Sequence, residues 1–334
     1  MIQDSPRETI CIVYWGKRGG GRLLTEQIFQ AAHKSSIRTL LFLRPRPFRA
    51  NDNQIGIINV YRWLMERRKL IQTCSQSNVK IVIFPMASPW DIFLRHSLNK
   101  IGVDVKRIIH DATRHPGDYF PTNFWIRWLI NDANKIVTLS NFVSDELISK
   151  YGIEPEKIYV SSLPSPIISQ RPLVRSGRAG TTYLFLGRSR TYKGLELLLN
   201  AWPMVGDDES QLIIAGEGHK IQRDVERVQH IDRWLEDSEI IELMAGSTAV
   251  ILPYLEASQS GLIPIAQTLG IPVIVTPVGG LKEQVSDGFT GIVTEDISKE
   301  ALVKAMNSIK TFTFKPPSED SPNAALQLLQ VCLK

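Results

Sequence analysis

The chain has 334 residues, of which 43% are hydrophobic and 22% charged, and its formal net charge is +5. This length favours two domains, and this composition is typical of a soluble globular protein. No stretch approaches the roughly 20 apolar residues that a membrane span needs, and the first ten residues lack the pattern of a signal peptide, so we expect a cytoplasmic protein.

Cysteine content and charge distribution narrow the class of protein further. Cys11, Cys74 and Cys332 show no paired spacing, which argues against a disulfide framework and a structural zinc site. Residues 1–170 hold 23 Lys+Arg and 14 Asp+Glu, whereas residues 171–334 hold 16 and 20. A basic first half suits nucleic acid, anionic lipid or a phosphorylated substrate, and the charge alone selects none of them.

Short apolar runs alternate with helix-length amphipathic segments, a pattern that predicts an α/β protein with parallel sheets. The predicted strands of the first half are 10–14, 39–43, 80–84, 105–109 and 135–139. Those of the second half are 182–186, 211–215, 249–252 and 272–275. Residues 161–180 are rich in Pro, Ser and Gly and predict a linker. We therefore expect domains 1–170 and 171–334, with ligands in a cleft at the carboxyl ends of their strands.

A glycine-rich loop follows the first predicted strand and leads into a helix. It contains Gly19, Gly20 and Gly21, whose backbone could approach a substrate closely. The spacing of these glycines is not that of the dinucleotide-binding fingerprint.

A polar loop, 110–118, follows the fourth predicted strand and contains His110, Asp111, His115 and Asp118. These residue types could bind a metal, but Pro116 and Gly117 disrupt any regular helical spacing, so we expect no metal site. The alternative is that the loop 110–118 has only a structural role.

Two further segments of the first half, 60–69 and 119–130, combine Trp and Tyr with Arg and Lys. Such segments suit the interface of a membrane, and they suit equally a buried helix face with ordinary surface charges. Together with the basic balance of residues 1–170 they predict a peripheral contact of the first domain with an anionic membrane. No basic stripe with a known nucleic-acid-binding module occurs, so we expect no nucleic acid partner.

A basic loop follows the first predicted strand of the second half. Arg188 and Lys193 lie there between Gly187 and Gly194. A guanidinium offers a planar fork to phosphate oxygens and an ammonium offers a point charge, so both are candidates to bind a diphosphate. Basic residues in a loop are also common on plain surfaces.

Small polar residues follow the strand at 249–252, in the segment Glu256-Ala-Ser-Gln-Ser-Gly261. Pro264 is tolerated only in the first turn of a helix, which puts the start of the helix near Gly261 or Leu262, with Ser258 or Ser260 as a cap. The backbone amides of Ser260, Gly261 and Leu262 would then form an anion site at the end of a core strand. An ordinary strand-to-helix turn is the alternative.

These fragments together resemble the nucleotide-sugar domain of family 4 (group 1) glycosyltransferases, which have the GT-B fold of two Rossmann-like domains facing a cleft. The resemblance rests on Gly187-Arg188…Lys193-Gly194, Leu212-Ile-Ile-Ala-Gly-Glu-Gly218, Ser260-Gly261…Gly270-Ile-Pro-Val-Ile, Gly279-Gly-Leu-Lys-Glu283 and Gly288-Phe-Thr-Gly291, in that order. It implies that Arg188, Lys193 and the amides of 260–262 bind the diphosphate of the donor and that His110 faces the donor sugar.

One departure from the family pattern concerns a pair of glutamates, of which the second binds ribose. In this chain the first position is Ser258 and the second falls at Ile265 or Ala266. Glu256 is the nearest carboxylate and is our candidate for a catalytic role, while Gln259 could face the donor sugar. The departure leaves room for a non-catalytic protein.

The resemblance implies a retaining, metal-independent hexosyltransferase without a cofactor. Its donor would be a nucleotide-diphosphate sugar and its acceptor a glycan or a lipid-linked molecule, in the synthesis of a surface or exopolysaccharide at the cytoplasmic face of the membrane. The alternatives are a nucleotide-sugar epimerase of similar fold and a scaffold protein that binds the donor without turning it over.

Overall fold

A computed structural model describes most of the chain. The described residues are 9–15, 20–44, 57–88, 91, 93–114, 123–165, 168, 180–206, 208–219, 221, 225–316 and 323–334. They divide into two compact units. Across these ranges no helix combines the length and apolarity that crossing a bilayer requires.

The first unit contains a parallel sheet of six described strands in the order β2-β1-β3-β4-β5-β6. These strands are β1 Thr9–Trp15, β2 Thr39–Arg44, β3 Val79–Phe84, β4 Asp104–Ile109, β5 Lys135–Thr138 and β6 Ile158–Val160. The helices of this unit are α1 Gly20–Lys34, α2 Ile57–Gln76, α3 Leu94–Asn99, α4 Asn123–Asn131, α5 Asn141–Tyr151 and, from the end of the chain, α11 Ala324–Leu333.

Side chains that alternate along β1 place helices on both faces of the first sheet. Ile10 and Ile12 pack in one apolar cluster with residues of α1 and α11. Cys11 and Val13 pack on the other face, in a cluster with residues of α2 and α3. The continuous burial of β1 follows from this two-sided cover, because a strand covered on both faces has no polar side.

The second unit contains another parallel sheet of six described strands, in the order β12-β11-β10-β7-β8-β9. The strands are β7 Thr182–Leu186, β8 Gln211–Ala215, β9 Val228–Ile231, β10 Ala249–Leu252, β11 Val273–Val275 and β12 Gly291–Val293. The helices are α6 Leu195–Ala201, α7 Asp237–Ala245, α8 Leu262–Leu269, α9 Leu281–Gln284 and α10 Lys299–Ser308. Clusters on the two faces of this sheet hold α7, α8 and α9 on one side and α6 and α10 on the other.

The predicted α/β class with two parallel sheets is confirmed. The units meet along the chain between Pro164 and Ser165, at the start of the predicted linker. The boundaries differ from the expected 1–170 and 171–334 at the linker, where the division follows Pro164, and at the end of the chain, where α11 belongs to the first unit. Its residues Leu328, Leu329 and Cys332 are fully buried in the cluster that contains α1.

Candidate functional site

Two loops of the second unit meet at the carboxyl edge of its sheet, because β7 and β10 are neighbouring parallel strands. The amide of Leu255, after β10, donates to the carbonyl of Tyr192, after β7, at 2.6 Å. Gly194 adopts a φ of +69°, and a Cβ at this glycine would overlap the carbonyl of Pro253. The structure therefore brings together the two segments in which we predicted a diphosphate site.

Gly187 is the point on which the basic loop turns. Its φ is +131°, a conformation that side chains rarely adopt, and a Cβ there would overlap the Nζ of Lys193. Gly216, which follows β8, approaches so closely that a Cβ at Gly216 would overlap the carbonyl oxygen of Gly187. The positive φ thus favours glycine at 187, and at 216 the close approach of the Gly187 backbone requires it.

The two predicted cations have different surroundings. Lys193 is half-buried, and its Nζ lies 5.4 Å from the ring centroid of Tyr254, a cation–π contact. Tyr254 is buried, and this burial raises the pKa of its phenol to about 12 although its side chain also hydrogen-bonds Ser260. Arg188 is exposed at the end of β7. Lys193 is therefore held by packing, whereas the guanidinium of Arg188 faces solvent.

His219 supports the basic loop through a hydrogen bond to Gly187, and the sequence alone did not predict this role. Its side chain is 2% exposed, and its Nε2 lies 2.6 Å from the carbonyl oxygen of Gly187. A carbonyl only accepts, so Nε2 carries a proton and donates it. Desolvation lowers the pKa of this imidazole, which favours its neutral form. The signal in the sequence is the position of His219 directly after Gly216-Glu-Gly218, where β8 ends beside β7.

The start of α8 agrees with the prediction made from Pro264, since the helix begins at Leu262. The amide of Ser260, which we expected to bind an anion, instead donates to Gln284 Oε1 at 2.7 Å. Gln284 Nε2 donates in turn to the carbonyl of Ser260 at 3.2 Å. The backbone of Ser260 is therefore satisfied by one side chain of α9, and the prediction for its amide needs correction.

The first turn of α8 keeps two candidate donors. Within the described part of the chain no acceptor is found for the amide of Gly261, which is exposed. The amide of Leu262 makes only a long contact of 3.4 Å with Ser260 Oγ. A Cβ at Gly261 would meet nothing within 4 Å, so open space lies in front of this turn.

The positions of the missing glutamate pair are apolar or buried. Ala266 and Ser258 are buried, and Ile265 packs against the core cluster of this face. Glu256 is exposed in the loop before α8, and Gln259 is half-buried. Glu256 is the one carboxylate of the loop 253–261, and it reaches solvent.

The first unit holds the remaining candidates at the carboxyl edge of its own sheet. His110 follows β4, and its Nε2 lies 2.8 Å from the carbonyl oxygen of Pro85, which follows the neighbouring β3. Gly20 opens α1 and is exposed, whereas a Cβ at Gly21 would lie 2.7 Å from Tyr14 Cε2. Gly21 is therefore explained by packing.

Some of the predicted residues fall outside the described ranges. They are Gly19 in the glycine loop and His115 and Asp118 in the polar loop. Among the described residues, no group of three His, Cys, Asp or Glu side chains is arranged to hold a metal ion.

Comparison with known proteins identifies the second unit. Residues 180–311 match the family model described as Glycosyl transferases group 1. The glycogen synthase of Mycobacterium tuberculosis (strain H37Rv) is 27% identical over 202 residues, which cover 54% of this chain and 47% of that protein. The chain thus spans about half the length of this curated relative.

Solved structures extend the likeness to the whole fold. A glycosyltransferase from Rickettsia africae has a TM-score of 0.66 at 16% identity, over 98% of this chain and 93% of that one. Anabaena HepE in complex with UDP and glucose has a TM-score of 0.64 at 16% identity, over 97% and 93%. These structures share the fold of this chain, with two parallel sheets, and they carry the GT-B architecture. The resemblance inferred from the sequence is therefore confirmed for residues 180–311, which match the group 1 glycosyl transferase model.

Proposed function

We propose that this protein is a retaining glycosyltransferase that moves a hexose from a nucleotide-diphosphate sugar to a glycan or lipid-linked acceptor. The observation that carries the proposal is the meeting of two loops at the edge of the second sheet. Arg188 and Lys193 lie in one of these loops, and the other leads into the first turn of α8. Both kinds of group favour an anion at the same place.

The chemistry of the leaving group explains this combination. When the bond to the sugar breaks, negative charge grows on the departing diphosphate. The fixed ammonium of Lys193, the guanidinium of Arg188 and the amides of Gly261 and Leu262 would stabilise that charge. With two cations supplied by the chain we expect transfer without a metal ion. Glu256 is the candidate of the second unit for a contact with the sugar.

The named relatives support the choice of donor and acceptor. A glycogen synthase builds a glycan by its name, and HepE was solved with UDP and glucose. We therefore expect a UDP-linked hexose as donor and a growing glycan as acceptor. The basic balance of residues 1–170 is the reason that we further propose a surface polysaccharide as acceptor and transfer at the cytoplasmic face of the membrane.

Donor binding and turnover test the proposal in one series. A donor at a hundred times its Kd adds about 2.7 kcal/mol of stability, so a thermal-shift screen of UDP, GDP, ADP and dTDP sugars should identify it. Release of the nucleotide is then measured with and without a glycan acceptor. An epimerase would convert the donor with no acceptor present, and a scaffold protein would bind it without turnover.

The role of Arg188 is tested by Arg188→Ala. Loss of a contact made to the leaving group should lower kcat/KM by about 30- to 1,000-fold, which corresponds to roughly 2–4 kcal/mol, while the melting temperature is unchanged. Lys304→Ala is the matched control, since Lys304 is a surface cation of the same unit paired with Glu295. Near-normal turnover by Arg188→Ala would exclude the assigned role.

A further inference from the structure

Tyr254 is a buried residue between the two loops of the proposed donor site. It is the second residue after β10, and only 3% of it is exposed. The basic loop after β7 contacts its ring, and the segment that leads into α8 contacts its hydroxyl group. The side chain is therefore placed to influence both groups of anion-binding donors, although it is too deeply buried to bind the anion itself.

The backbone around Tyr254 packs against the end of the basic loop. The carbonyl oxygen of Pro253, which precedes it, occupies the place where a side chain at Gly194 would stand. Leu255, which follows it, donates its amide to the carbonyl of Tyr192 at 2.6 Å. The turn at the end of the basic loop is thus in direct contact with the backbone on both sides of Tyr254.

The ring of Tyr254 contacts the ammonium group of the basic loop. Lys193 Nζ lies 5.4 Å from the ring centroid, and the ring of Tyr192 packs edge-on against that of Tyr254 at 6.2 Å. Burial raises the pKa of the phenol to about 12, so the ring is uncharged at neutral pH. An uncharged ring attracts an ammonium group through its π face without cancelling the positive charge. This contact therefore orients Lys193 and preserves its attraction for an anion.

The hydroxyl group of Tyr254 reaches the start of α8. It forms a hydrogen bond with the side chain of Ser260, which is itself buried. Ser260 Oγ in turn lies 3.4 Å from the amide of Leu262, one of the two donors proposed for the diphosphate. One phenol side chain therefore connects the cation of the first loop with the amides of the second.

Tyr254 is itself fixed by the core of the second unit. Its carbonyl accepts from Thr276 Oγ1, after β11, at 2.5 Å. Its side chain belongs to the apolar cluster that also includes Ala257, Ile263 and Val278. The groups that contact Tyr254 are therefore held relative to this core before any ligand binds.

We propose that Tyr254 is a positioning residue of the donor site, which holds Lys193 and the first turn of α8 at the separation that a diphosphate requires. The inference rests on the proposed function and extends it to a residue that does not contact the donor. A site whose donors are fixed in advance loses less conformational freedom when the ligand binds. Tyr254 thus contributes to affinity through Lys193 and Ser260.

The test is a double-mutant cycle of Tyr254→Leu and Lys193→Met, in which calorimetric titration measures the affinity for UDP, or for whichever of GDP, ADP and dTDP binds the wild type. Lys193→Met removes the charge and keeps an unbranched apolar chain. Tyr254→Leu alone should weaken binding about tenfold, because the cation–π contact and the link to Ser260 are both lost. In the Lys193→Met background the same change should weaken it by no more than about threefold, since only the link to Ser260 remains to be lost.

Two further variants of Tyr254 support the cycle. Tyr254→Phe keeps the ring beside Lys193 and removes the hydroxyl group, so it should weaken binding by no more than about threefold. Tyr254→Met takes the place of Tyr254→Leu if that variant does not fold, because a flexible methionine fills irregular space in a core.

Tyr183→Phe is the matched control. Tyr183 is buried on the neighbouring strand β7, and its hydroxyl group donates to the carbonyl of Met306 at 2.7 Å. It packs in the cluster on the other face of the sheet, away from the donor site. Loss of its hydroxyl group should leave the affinity for the nucleotide unchanged.

Two results would overturn the proposal and leave the donor site itself intact. One is equal weakening by the change at Tyr254 in both backgrounds, which a purely structural role predicts. The other is wild-type affinity in a folded variant that lacks the ring. If the wild type bound none of the four nucleoside diphosphates, the proposed function would be wrong, and this inference with it.

Discussion

His219 and Gly216 fix the carbonyl of Gly187 from two sides, so the geometry of the basic loop depends on residues that bind no substrate themselves. The imidazole donates to this carbonyl, and Gly216 leaves room for it. Lys193 Nζ then occupies the space where a side chain at 187 would stand. The position of one proposed catalytic cation is thus set by close backbone packing between the ends of two strands.

The buried imidazole gives the second unit a pH dependence. Burial lowers the pKa of His219 in the folded state. As the pH falls through about 6.5, the imidazole is therefore protonated in the unfolded state while it remains neutral in the folded state. The free energy of unfolding should therefore fall on acidification from pH 7.5 to 5.5, with a slope of at most about 1.4 kcal/mol per pH unit from this residue. Denaturant unfolding at the two pH values measures it.

His219→Gln is the matched variant, because the amide of glutamine can donate to the carbonyl of Gly187 without titrating. The free energy of unfolding of the wild type minus that of this variant should decrease as the pH falls. An unchanged difference would mean that the imidazole is protonated equally in both states.

Gly261 gives the sharpest test of the anion site. A Cβ there meets nothing within 4 Å and the φ is −66°, so Gly261→Val should fold as the wild type does. Its side chain would stand in the open space in front of the first turn of α8 and should weaken binding of a nucleoside diphosphate about tenfold or more. Calorimetric titration measures this affinity.

Gly206→Val serves as the control, since Gly206 also faces open space in the second unit and lies outside the site. Equal affinity of the two folded variants for the nucleotide would make the segment before α8 an ordinary turn.

At the scale of elements, a single side chain connects α9 to the start of α8. Gln284 binds both the amide and the carbonyl of Ser260, and its own carbonyl accepts from Gln267 Nε2 at 2.7 Å. Gln284→Leu keeps the bulk of the side chain, leaves the amide of Ser260 unsatisfied and leaves its carbonyl with only the 3.4 Å contact from the amide of Ile263. We expect a loss of about 1–3 kcal/mol in stability and weaker donor binding, because the turn is no longer fixed.

Lys282→Ala on the same helix is the comparison, since Lys282 is exposed. Stability is measured by denaturant unfolding and affinity by titration with the donor. If Gln284→Leu retained the affinity of the wild type, the amides of Gly261 and Leu262 would not need this support.

The strands that sequence reasoning found and missed differ in a physical way. Each apolar run that we predicted as a strand forms one, because a strand covered on both faces must be apolar throughout. The strands that we missed, β6, β9 and β12, all lie at an edge of a sheet. They are short and partly exposed, as in the half-exposed sequence Val228–Ile231, and so lack an apolar run.

Local sequence patterns also predicted only part of the candidate site. Local pattern was enough to place Lys193 in the loop after β7 and to start α8 near Gly261 or Leu262. The partners of these segments are distant in sequence: Gln284 lies 24 residues from Ser260, and His219 lies 32 residues from Gly187. Pairings of this kind depend on which strands become neighbours, and a single sequence does not carry that information.

At the scale of the whole molecule, the chain returns to its first unit at α11. The sequence did not predict that α11 belongs to the first unit, because an amphipathic helix could cover either sheet. In the structure it packs beside α1, and the apolar face of α1 that it covers includes Leu24 and Ile28. A boundary drawn at 170 would therefore separate the first sheet from one of its covering helices.

Leu328→Ala tests where α11 belongs. Leu328 is fully buried in the cluster of the first unit, whereas Leu326 on the same helix is 36% exposed. Leu328→Ala should lower the free energy of unfolding by about 2–5 kcal/mol, and Leu326→Ala should lower it far less. Hydrogen exchange resolves the location of the loss: amides of β1 and α1 should exchange faster in Leu328→Ala, while those of β7 and β10 keep their protection. Faster exchange in β7 and β10 instead would assign α11 to the second unit, as the boundaries 1–170 and 171–334 require.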